Sequence, residues 1–331
     1  MTKALALFSG GLDSVLAAKL IQIQDIEVIG ICFASAFFGS KNAEKMAAQI
    51  DLPLIVVDFT EEHLKMTKNP KHGYGKNMNP CIDCHAMMLN YAGNMLGELN
   101  ADFLITGEVL NQRPMSQNKK SLGIVQKESG FEDKILRPLC ALNLAPTQME
   151  NDGLVDRTKL MGISGKSRKP QIELAEKLGI KEYPSPAGGC MLTEPQFAKR
   201  LEDLYKHDMD NAKPIDIKLL RVGRHMRISP DAKLVCTRNE DEYKLLQGLL
   251  KKEYIIFDTA DCAGSTAVLI SAGGKIPSQE DIDFAGSVVA RYSKEKEKDS
   301  VRVKYKKQND PEYKYMNVKP AGDEEIREVL L

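Results

Sequence analysis

The stretch that decides the fold is Ser9-Gly10-Gly11-Leu12-Asp13-Ser14, which stands between a short apolar run and an amphipathic one. Two glycines let a backbone approach an anion closely, and the N–H groups at the start of a following helix attract it. The hydroxyl groups of Ser9 and Ser14 can donate to phosphate oxygens, and the carboxylate of Asp13 is suited to hold Mg²⁺ beside them. A tight turn capped by serine and aspartate is the plainer alternative. The complete hexapeptide, placed in the first strand-to-helix turn, favours a phosphate-binding loop.

Outward from this loop, the first half of the chain alternates short apolar runs with amphipathic ones. Such alternation is typical of strands joined by helical crossovers, so we expect a doubly wound, mostly parallel α/β sheet. Ligands of such sheets bind beyond the carboxyl ends of the strands. Strands are predicted at residues 4–8, 28–33, 54–58 and 103–106, and helices at 13–24, 41–50 and 85–99.

The length of 331 residues predicts more than one domain, because a single core rarely grows so far. Residues 147–178 have a helical, polar pattern that indicates a connecting subdomain, and residues 207–214 lack apolar periodicity and are the predicted linker. Beyond it the pattern becomes β-rich, which predicts a small α+β domain. We therefore expect a nucleotide-binding domain at 1–160, a connecting subdomain carrying Cys190 at 161–206, and a second domain at 214–331. In that second domain, strands are predicted at 219–222, 233–236, 254–257, 266–270 and 301–305.

The charge balance and the apolar runs limit the class of protein. Lysine plus arginine and aspartate plus glutamate number 46 each, so the net charge of zero excludes a uniformly basic protein but not a local basic patch. The apolar run at 4–8 is too short for a signal peptide, and the longest uncharged stretch, 28–40, is too short to cross a bilayer. We therefore expect a cytoplasmic protein with no membrane association.

Three of the seven cysteines stand in patterns that indicate chemistry. Cys81 and Cys84 form a C-x-x-C pair at a predicted helix start, which is expected to lower thiol pKa values. Cys190 ends a loop rich in glycine and proline. From the residues alone, the pair is a zinc half-site completed by His72 or His85, a redox pair, or chance. The other four cysteines are predicted to be small buried hydrophobic residues: Cys32, Cys140, Cys236 and Cys262.

The hexapeptide resembles the PP-loop of the ATP pyrophosphatase (adenine nucleotide alpha hydrolase-like) superfamily, whose members cleave ATP between the α and β phosphates. Asn79-Pro80-Cys81-Ile82-Asp83-Cys84-His85 and the later Thr106-Gly107-Glu108 are similar to the tRNA-thiolating branch, the MnmA/ThiI-type sulfurtransferases. The resemblance covers about the first two hundred residues. It implies an enzyme that uses ATP and Mg²⁺ to adenylate a uracil oxygen before sulfur replaces it.

The resemblance also implies roles for individual residues. Cys84 and Cys190 align with the two catalytic cysteines of the family, and Asp13 is expected to act with Mg²⁺ in catalysis. Thr106 and Gly107 are expected near the α-phosphate, and Cys32, Phe33 and Ala34 are expected to line the adenine pocket. The expected nucleotide-binding set is therefore Ser9, Gly10, Gly11, Asp13, Ser14, Cys32, Phe33, Ala34, Thr106 and Gly107.

Three positions depart from the family pattern: Cys81 replaces an aspartate, His85 an asparagine and Glu108 a histidine. With Cys81 as a third cysteine, the sequence resembles the iron–sulfur thiolases, in which three protein thiolates hold a [4Fe-4S] cluster. That resemblance implies Cys81, Cys84 and Cys190 as cluster ligands, and a persulfide mechanism without a cluster is the alternative. The sulfur donor is expected to be free sulfide or a persulfide carrier.

The second domain resembles the NFACT-R RNA-binding domain, through Gly223-Arg224-His225, Thr237-Arg238-Asn239 and Ala290-Arg291-Tyr292-Ser293-Lys294. Residues 291–310 carry eight Lys/Arg against four Asp/Glu, with Tyr292 and Tyr305 between them. Basic residues interleaved with aromatic ones suit phosphate contacts and base stacking, although a solvated helix end is the plainer interpretation.

Outside these motifs, Arg113 and Arg137 are candidates either to counter phosphate charge or to form surface salt bridges. The lysine-rich residues 65–76 either guide RNA phosphates or form a solvated loop.

The sequence thus predicts a tRNA uridine thiolase that produces 4-thiouridine or 2-thiouridine. A PP-loop enzyme acting on a small molecule and a non-catalytic RNA-binding protein are the alternatives. A monomer and a homodimer both stay open.

Overall fold

A computed structural model describes residues 2–184 and 190–331. The chain divides into two compact units, Met1–Thr193 and Glu194–Leu331. This division lies upstream of the predicted linker at 207–214. The first residues of that linker are the last turn of a helix, Pro195–Asp208, whose Phe197, Leu201 and Tyr205 are buried.

The first unit contains a five-stranded sheet in which every pair of neighbouring strands is parallel. The order β3-β2-β1-β4-β5 reverses at β1, and the phosphate loop follows that strand directly. The edge next to β1 is therefore the switch point where ligands of such sheets bind. The strands are β1 (Lys3–Leu7), β2 (Glu27–Ala34), β3 (Leu54–Asp58), β4 (Phe103–Thr106) and β5 (Ile135–Leu136).

Helices cover both faces of this sheet. Ala4 and Ile105 point into one core with α1, while Leu5 and Leu104 point into the other with α4, as the alternation of strand side chains requires. The predicted doubly wound α/β fold is therefore confirmed. The helices are α1 (Leu12–Gln22), α2 (Lys41–Gln49), α3 (Thr60–Lys68), α4 (Cys81–Asn94), α5 (Lys119–Ser129), α6 (Gln148–Asn151) and α7 (Lys169–Lys177).

The second unit contains an antiparallel sheet of six strands in the order β11-β10-β8-β9-β7-β6. The predicted strand at 219–222 is wrong, because these residues end a helix and turn into β6. The strands are β6 (Arg224–Ser229), β7 (Ala232–Cys236), β8 (Ile255–Thr259), β9 (Ala267–Ser271), β10 (Val301–Lys307) and β11 (Lys314–Val318).

Helices pack on both faces of the second sheet. Phe257, Val301 and Val303 belong to a core with α11 and α12, and Ile256 and Val268 belong to a second core on the opposite face. The helices are α8 (Pro195–Asp208), α9 (Pro214–Leu219), α10 (Glu240–Gln247), α11 (Gln279–Arg291) and α12 (Asp323–Val329). Within the described part of the chain, no helix has both the length and the apolar character needed to cross a bilayer.

Candidate active site

The phosphate loop joins β1 to α1 and depends on a glycine at its sharpest bend. Gly10 has φ +75°, and a Cβ atom there would lie 2.5 Å from backbone atoms of Asn42 and Ala43. Only glycine fits this position without displacing α2. The Ser14 hydroxyl donates to the Gly11 carbonyl (2.8 Å) and lies 3.4 Å from the Ser9 hydroxyl. The two predicted phosphate donors therefore face each other across the loop.

Asp13 has one satisfied and one unsatisfied carboxylate oxygen. Its Oδ2 accepts a hydrogen bond from Gln112 Nε2 (2.9 Å) and lies 3.5 Å from the Arg168 guanidinium. Its Oδ1 is buried and has no hydrogen-bond partner among the described residues. Buried oxygens of this kind are normally satisfied, so the free Oδ1 is a fitting ligand for the predicted Mg²⁺. Sequence reasoning missed Gln112 and the approach of Arg168.

The end of β4 lies directly against the phosphate loop. A Cβ atom on Gly107 would come within 2.6 Å of backbone atoms of Asp13 and Ser14. The hydroxyl of Thr106 donates to Glu108 Oε2 (3.1 Å) and is buried. Gly107 therefore permits the close approach of strand and loop, and its predicted contact with the α-phosphate stays a prediction.

Two departures from the family pattern, His85 and Glu108, contact each other. His85 Nδ1 lies 3.1 Å from Glu108 Oε1, and Arg137 Nε donates to Glu108 Oε2 at 2.9 Å. Burial alone would raise the pKa of Glu108, but the Arg137 charge and the His85 hydrogen bond lower it to about 2. Arg137 is buried and also bonds to Gln126 and Leu122. Its salt bridge is therefore buried rather than on the surface, and its predicted phosphate contact stays a prediction. Arg113 is exposed.

The predicted adenine-pocket segment ends β2. The Cys32 side chain is buried in one core, and the Phe33 ring is buried in the other, 5.0 Å from the Phe59 ring. Ala34 is half-buried at the strand end. The predicted contact of these three residues with adenine stays a prediction.

Cys81 and Cys190 both lie within electrostatic range of Cys84. Cys81 and Cys84 occupy the first turn of α4, which begins directly after Pro80. Burial, followed by the charges of Cys190, Cys81 and Asp83, raises the pKa of the Cys84 thiol well above its ordinary value. The expectation of a lowered pKa is therefore wrong for Cys84, because burial and the neighbouring acidic groups both raise it. The influence of Cys190 on Cys84 also places these thiols within electrostatic range.

Hydrogen bonds tie the Cys190 segment to the loop before α4. The backbone N–H and the hydroxyl of Thr193 both donate to the Cys190 carbonyl, at 2.8 and 2.7 Å. Asn77 Nδ2 donates to the Thr193 carbonyl at 2.5 Å, and Asn79 Nδ2 donates to Cys81 Sγ at 3.3 Å. The glycine-rich residues 185–189 that precede Cys190 lie outside the described residues.

A histidine that sequence reasoning missed contacts the buried cysteine. His63 Nε2 lies 3.5 Å from Cys84 Sγ, and His63 Nδ1 lies 3.1 Å from the Ser35 hydroxyl. The Ser35 oxygen also accepts the Phe37 N–H (3.1 Å), so its own hydrogen is available to His63. The His63 ring stacks on Phe59 at 4.9 Å, and burial lowers its pKa to about 4. His63 is therefore neutral at pH 7.

The cysteine site offers thiols, the ligand type of an iron–sulfur cluster, and the predicted [4Fe-4S] cluster stays a prediction. His85 is held by Glu108, and His72 lies 3.8 Å from Glu128, so neither histidine completes a zinc set. Within residues 2–184 and 190–331, no three His, Cys, Asp or Glu side chains converge as ligands of a metal ion. A four-iron cluster instead spreads its thiolates over different irons. Thiolates are its normal ligands, and its positive irons would offset the burial and the neighbouring charges that raise the Cys84 pKa.

The tyrosines predicted to stack on bases make other contacts in the structure. Tyr305 stacks on Phe257 at 5.3 Å, and the Arg224 guanidinium lies 4.5 Å above the Tyr292 ring. Both tyrosines pack against the second unit's core, so neither offers a free ring for base stacking. In residues 65–76, Lys71 forms an ion pair with Glu128 at 2.6 Å.

Two family models match this chain, one in each of its two parts. Residues 1–146 match the family model of the thiamine biosynthesis protein ThiI, and residues 223–330 match the model described as the NFACT protein RNA binding domain. The resemblance found in the sequence is thereby confirmed. The first part of the chain is therefore similar to ThiI, and the second part is similar to the NFACT RNA binding domain.

Two curated relatives are similar to part of the chain. A probable tRNA sulfurtransferase of Thermococcus kodakarensis is 29% identical over 184 residues, 52% of this chain and 44% of that protein. The tRNA-specific 2-thiouridylase MnmA 1 of Clostridium tetani is 25% identical over 240 residues, 66% of this chain and 62% of that protein. The chain thus spans less than two thirds of either relative.

A crystal structure of a 4-thiouridine synthetase–RNA complex with bound ATP is 19% identical and covers 54% of this chain and 41% of that one. Its TM-score is 0.39, which supports no conclusion about this chain.

Proposed function

We propose that this protein is an ATP-dependent tRNA uridine thiolase. The observation that carries the proposal is the joint presence, in one compact unit, of a PP-loop with a free Asp13 oxygen and of three neighbouring cysteines. The matched RNA-binding domain supports a nucleic-acid substrate rather than a small molecule. The names of the relatives support tRNA and sulfur transfer.

The first step activates the uracil, because a carbonyl oxygen is a poor leaving group. The uracil oxygen attacks the α-phosphorus of ATP, the bond to the β-phosphate breaks, and pyrophosphate leaves. The backbone N–H groups around Gly10 and the hydroxyls of Ser9 and Ser14 stabilise the charge that develops on pyrophosphate. Asp13 holds Mg²⁺ through its free Oδ1, and Gln112 and Arg168 keep that carboxylate in place.

The second step replaces the activated oxygen. A sulfur nucleophile attacks the ring carbon, the carbon–oxygen bond breaks, and AMP leaves. Cys81, Cys84 and Cys190 would hold a [4Fe-4S] cluster, which when bound would supply a site for a transferable sulfide. His63 donates its Nε2–H to the Cys84 sulfur, since the Ser35 hydroxyl occupies Nδ1. The sulfur comes from free sulfide, or from a persulfide carrier together with thiols that supply two electrons and leave as a disulfide.

The hydrogen bond of His63 gives a testable prediction. His63→Phe keeps an aromatic ring between the surrounding phenylalanines but removes the donor, so thiolation should fall by roughly ten- to a hundredfold, the range for a hydrogen bond to a charged group. His63→Gln restores a neutral donor and should recover much of the rate. The alkylation rate of Cys84 in the cluster-free protein should change in the Phe variant and revert in the Gln variant. Equal thiolation and alkylation rates in all three proteins would exclude this role.

The proposed function is tested by mass analysis of tRNA nucleosides from a strain that lacks the gene. We expect one thiolated uridine to disappear and to return with the wild-type gene, and its mass and retention identify it as 2-thiouridine or 4-thiouridine. If every thiolated nucleoside persists, tRNA is not the substrate. A PP-loop enzyme acting on a small molecule or a non-catalytic RNA-binding protein would then take its place.

A further inference from the structure

The second unit has a sheet surface that combines cations with exposed aromatic rings. Lys306 pairs with Ile256 and Lys304 pairs with Tyr315 across neighbouring strands, so these side chains share one face of the sheet. On β7, β8 and β9 this face is covered by the core that includes Leu219 and Leu246 of α9 and α10. On β10 and β11 it carries polar and aromatic side chains. We call this part the β10–β11 face and define it by Arg302, Lys304, Lys306, Tyr313 and Tyr315.

A basic side chain lies over the ring of each tyrosine of the β10–β11 face. The Arg302 guanidinium lies 4.5 Å from the Tyr315 ring centroid, and the ammonium groups of Lys304 and Lys306 lie 5.0 and 4.9 Å from that of Tyr313. Tyr315 is 54% exposed and Tyr313 is 36% exposed. The rings are thus oriented by their cations while keeping surface open to solvent.

Basic side chains also line a cavity next to the β10–β11 face. Lys306 also lines a cavity of about 650 Å³ at the end of the sheet, together with the neighbouring Lys307 and Lys314. Eight lysine and arginine side chains line this cavity against four carboxylates. Four of these cations form ion pairs, Arg227 and Lys233 with Asp203, Lys251 with Asp216 and Lys275 with Asp231, whereas Lys306, Lys307 and Lys314 are the lining lysines next to the β10–β11 face. Face and cavity together form a positive path on a chain whose net charge is zero.

We propose that the β10–β11 face and this cavity bind a single-stranded segment of RNA; the choice of RNA rests on the proposed function. Phosphates would contact Arg302, Lys304 and Lys306, and two bases would stack on Tyr313 and Tyr315. Aromatic rings reach bases only where these are unstacked, so a duplex would use the cations but not the rings. This combination of a basic path with stacking rings is how proteins hold single strands.

The test measures binding of a fluorescently labelled single-stranded 12-mer RNA to the full-length protein by anisotropy, without ATP or sulfide. Tyr315→Ala should weaken binding by roughly five- to a hundredfold, whereas Tyr315→Phe, which keeps the ring, should bind like wild type. The same pair at Tyr313 should behave alike. Thermal unfolding and circular dichroism establish that each variant is folded.

Two charge variants complete the design. Replacing Arg302, Lys304 and Lys306 by glutamine should lower the slope of log Kd against log salt concentration by about two. Each lost phosphate contact removes about 0.7 from that slope. The matched control replaces Lys294, Lys296 and Lys298 by glutamine, which removes the same charge elsewhere in this unit. Its salt dependence of log Kd should stay close to that of wild type.

Equal loss in both triple variants, or unchanged binding by both Tyr→Ala variants, would overturn the proposal. So would polyglutamate competing as well as RNA, because the face would then recognise acidic chains in general. Normal RNA binding without tRNA thiolation would instead count against the proposed function alone.

Discussion

Cys84→Ser is expected to reduce tRNA thiolation by at least roughly a thousandfold, while ATP binding and pyrophosphate release stay near wild type. The reason is that Cys84 is the buried member of the three-cysteine site, in contact with His63 and under the influence of both other thiols. The phosphate loop lies on a separate element, after β1, so nucleotide activation does not need this sulfur. Cys190→Ser should give the same separation of the two steps.

Cys262→Ser is the matched control for this prediction. Cys262 is a half-exposed free cysteine in the second unit, so its loss should leave thiolation unchanged. The measurement follows thiolated nucleoside and pyrophosphate in the same reaction. Full thiolation by Cys84→Ser would remove the cysteine site from the mechanism.

Asp13→Asn is expected to slow pyrophosphate release by roughly a hundredfold or more. Asparagine has nearly the same shape, but its neutral amide is a much weaker ligand for Mg²⁺ than a carboxylate. Because the Arg168 guanidinium also loses its charged partner, the loop is expected to hold ATP less tightly. Steady-state release of pyrophosphate against Mg²⁺ concentration measures the effect.

Asp25→Asn controls for the loss of one carboxylate. Asp25 is exposed beyond the far end of α1, and its φ of +59° is one that asparagine tolerates. This variant should release pyrophosphate like wild type. Unchanged release by Asp13→Asn, at limiting Mg²⁺, would contradict the role given to the Asp13 oxygen.

The phosphate loop and the strands of the first unit could be predicted because their signals are local. An apolar run, two glycines and an amphipathic run are contiguous in the sequence, and the structure places β1, the loop and α1 there. β11 was missed because it is a five-residue strand at the edge of the sheet, has no regular apolar alternation (Lys-Tyr-Met-Asn-Val) and follows a polar turn. A short polar edge strand carries little hydrophobic pattern.

The contacts that complete the site could not be read from local patterns. His63 lies 21 positions before Cys84, and Gln112 lies 99 positions after Asp13. Only the parallel crossovers bring such residues together. Likewise, the pKa of Cys84 depends on burial and on Cys190, and neither is visible in a C-x-x-C motif.

The central claim is tested most directly by anaerobic reconstitution. Full-length protein, Mg²⁺-ATP, isotopically labelled sulfide and unmodified tRNA are combined, and the tRNA is digested and analysed by mass spectrometry. We predict a uridine that carries the sulfur label, with one pyrophosphate released per sulfur inserted. Cys84→Ser should give no labelled uridine. Pyrophosphate release without any labelled nucleoside, in protein with its cysteine site loaded, would contradict the account.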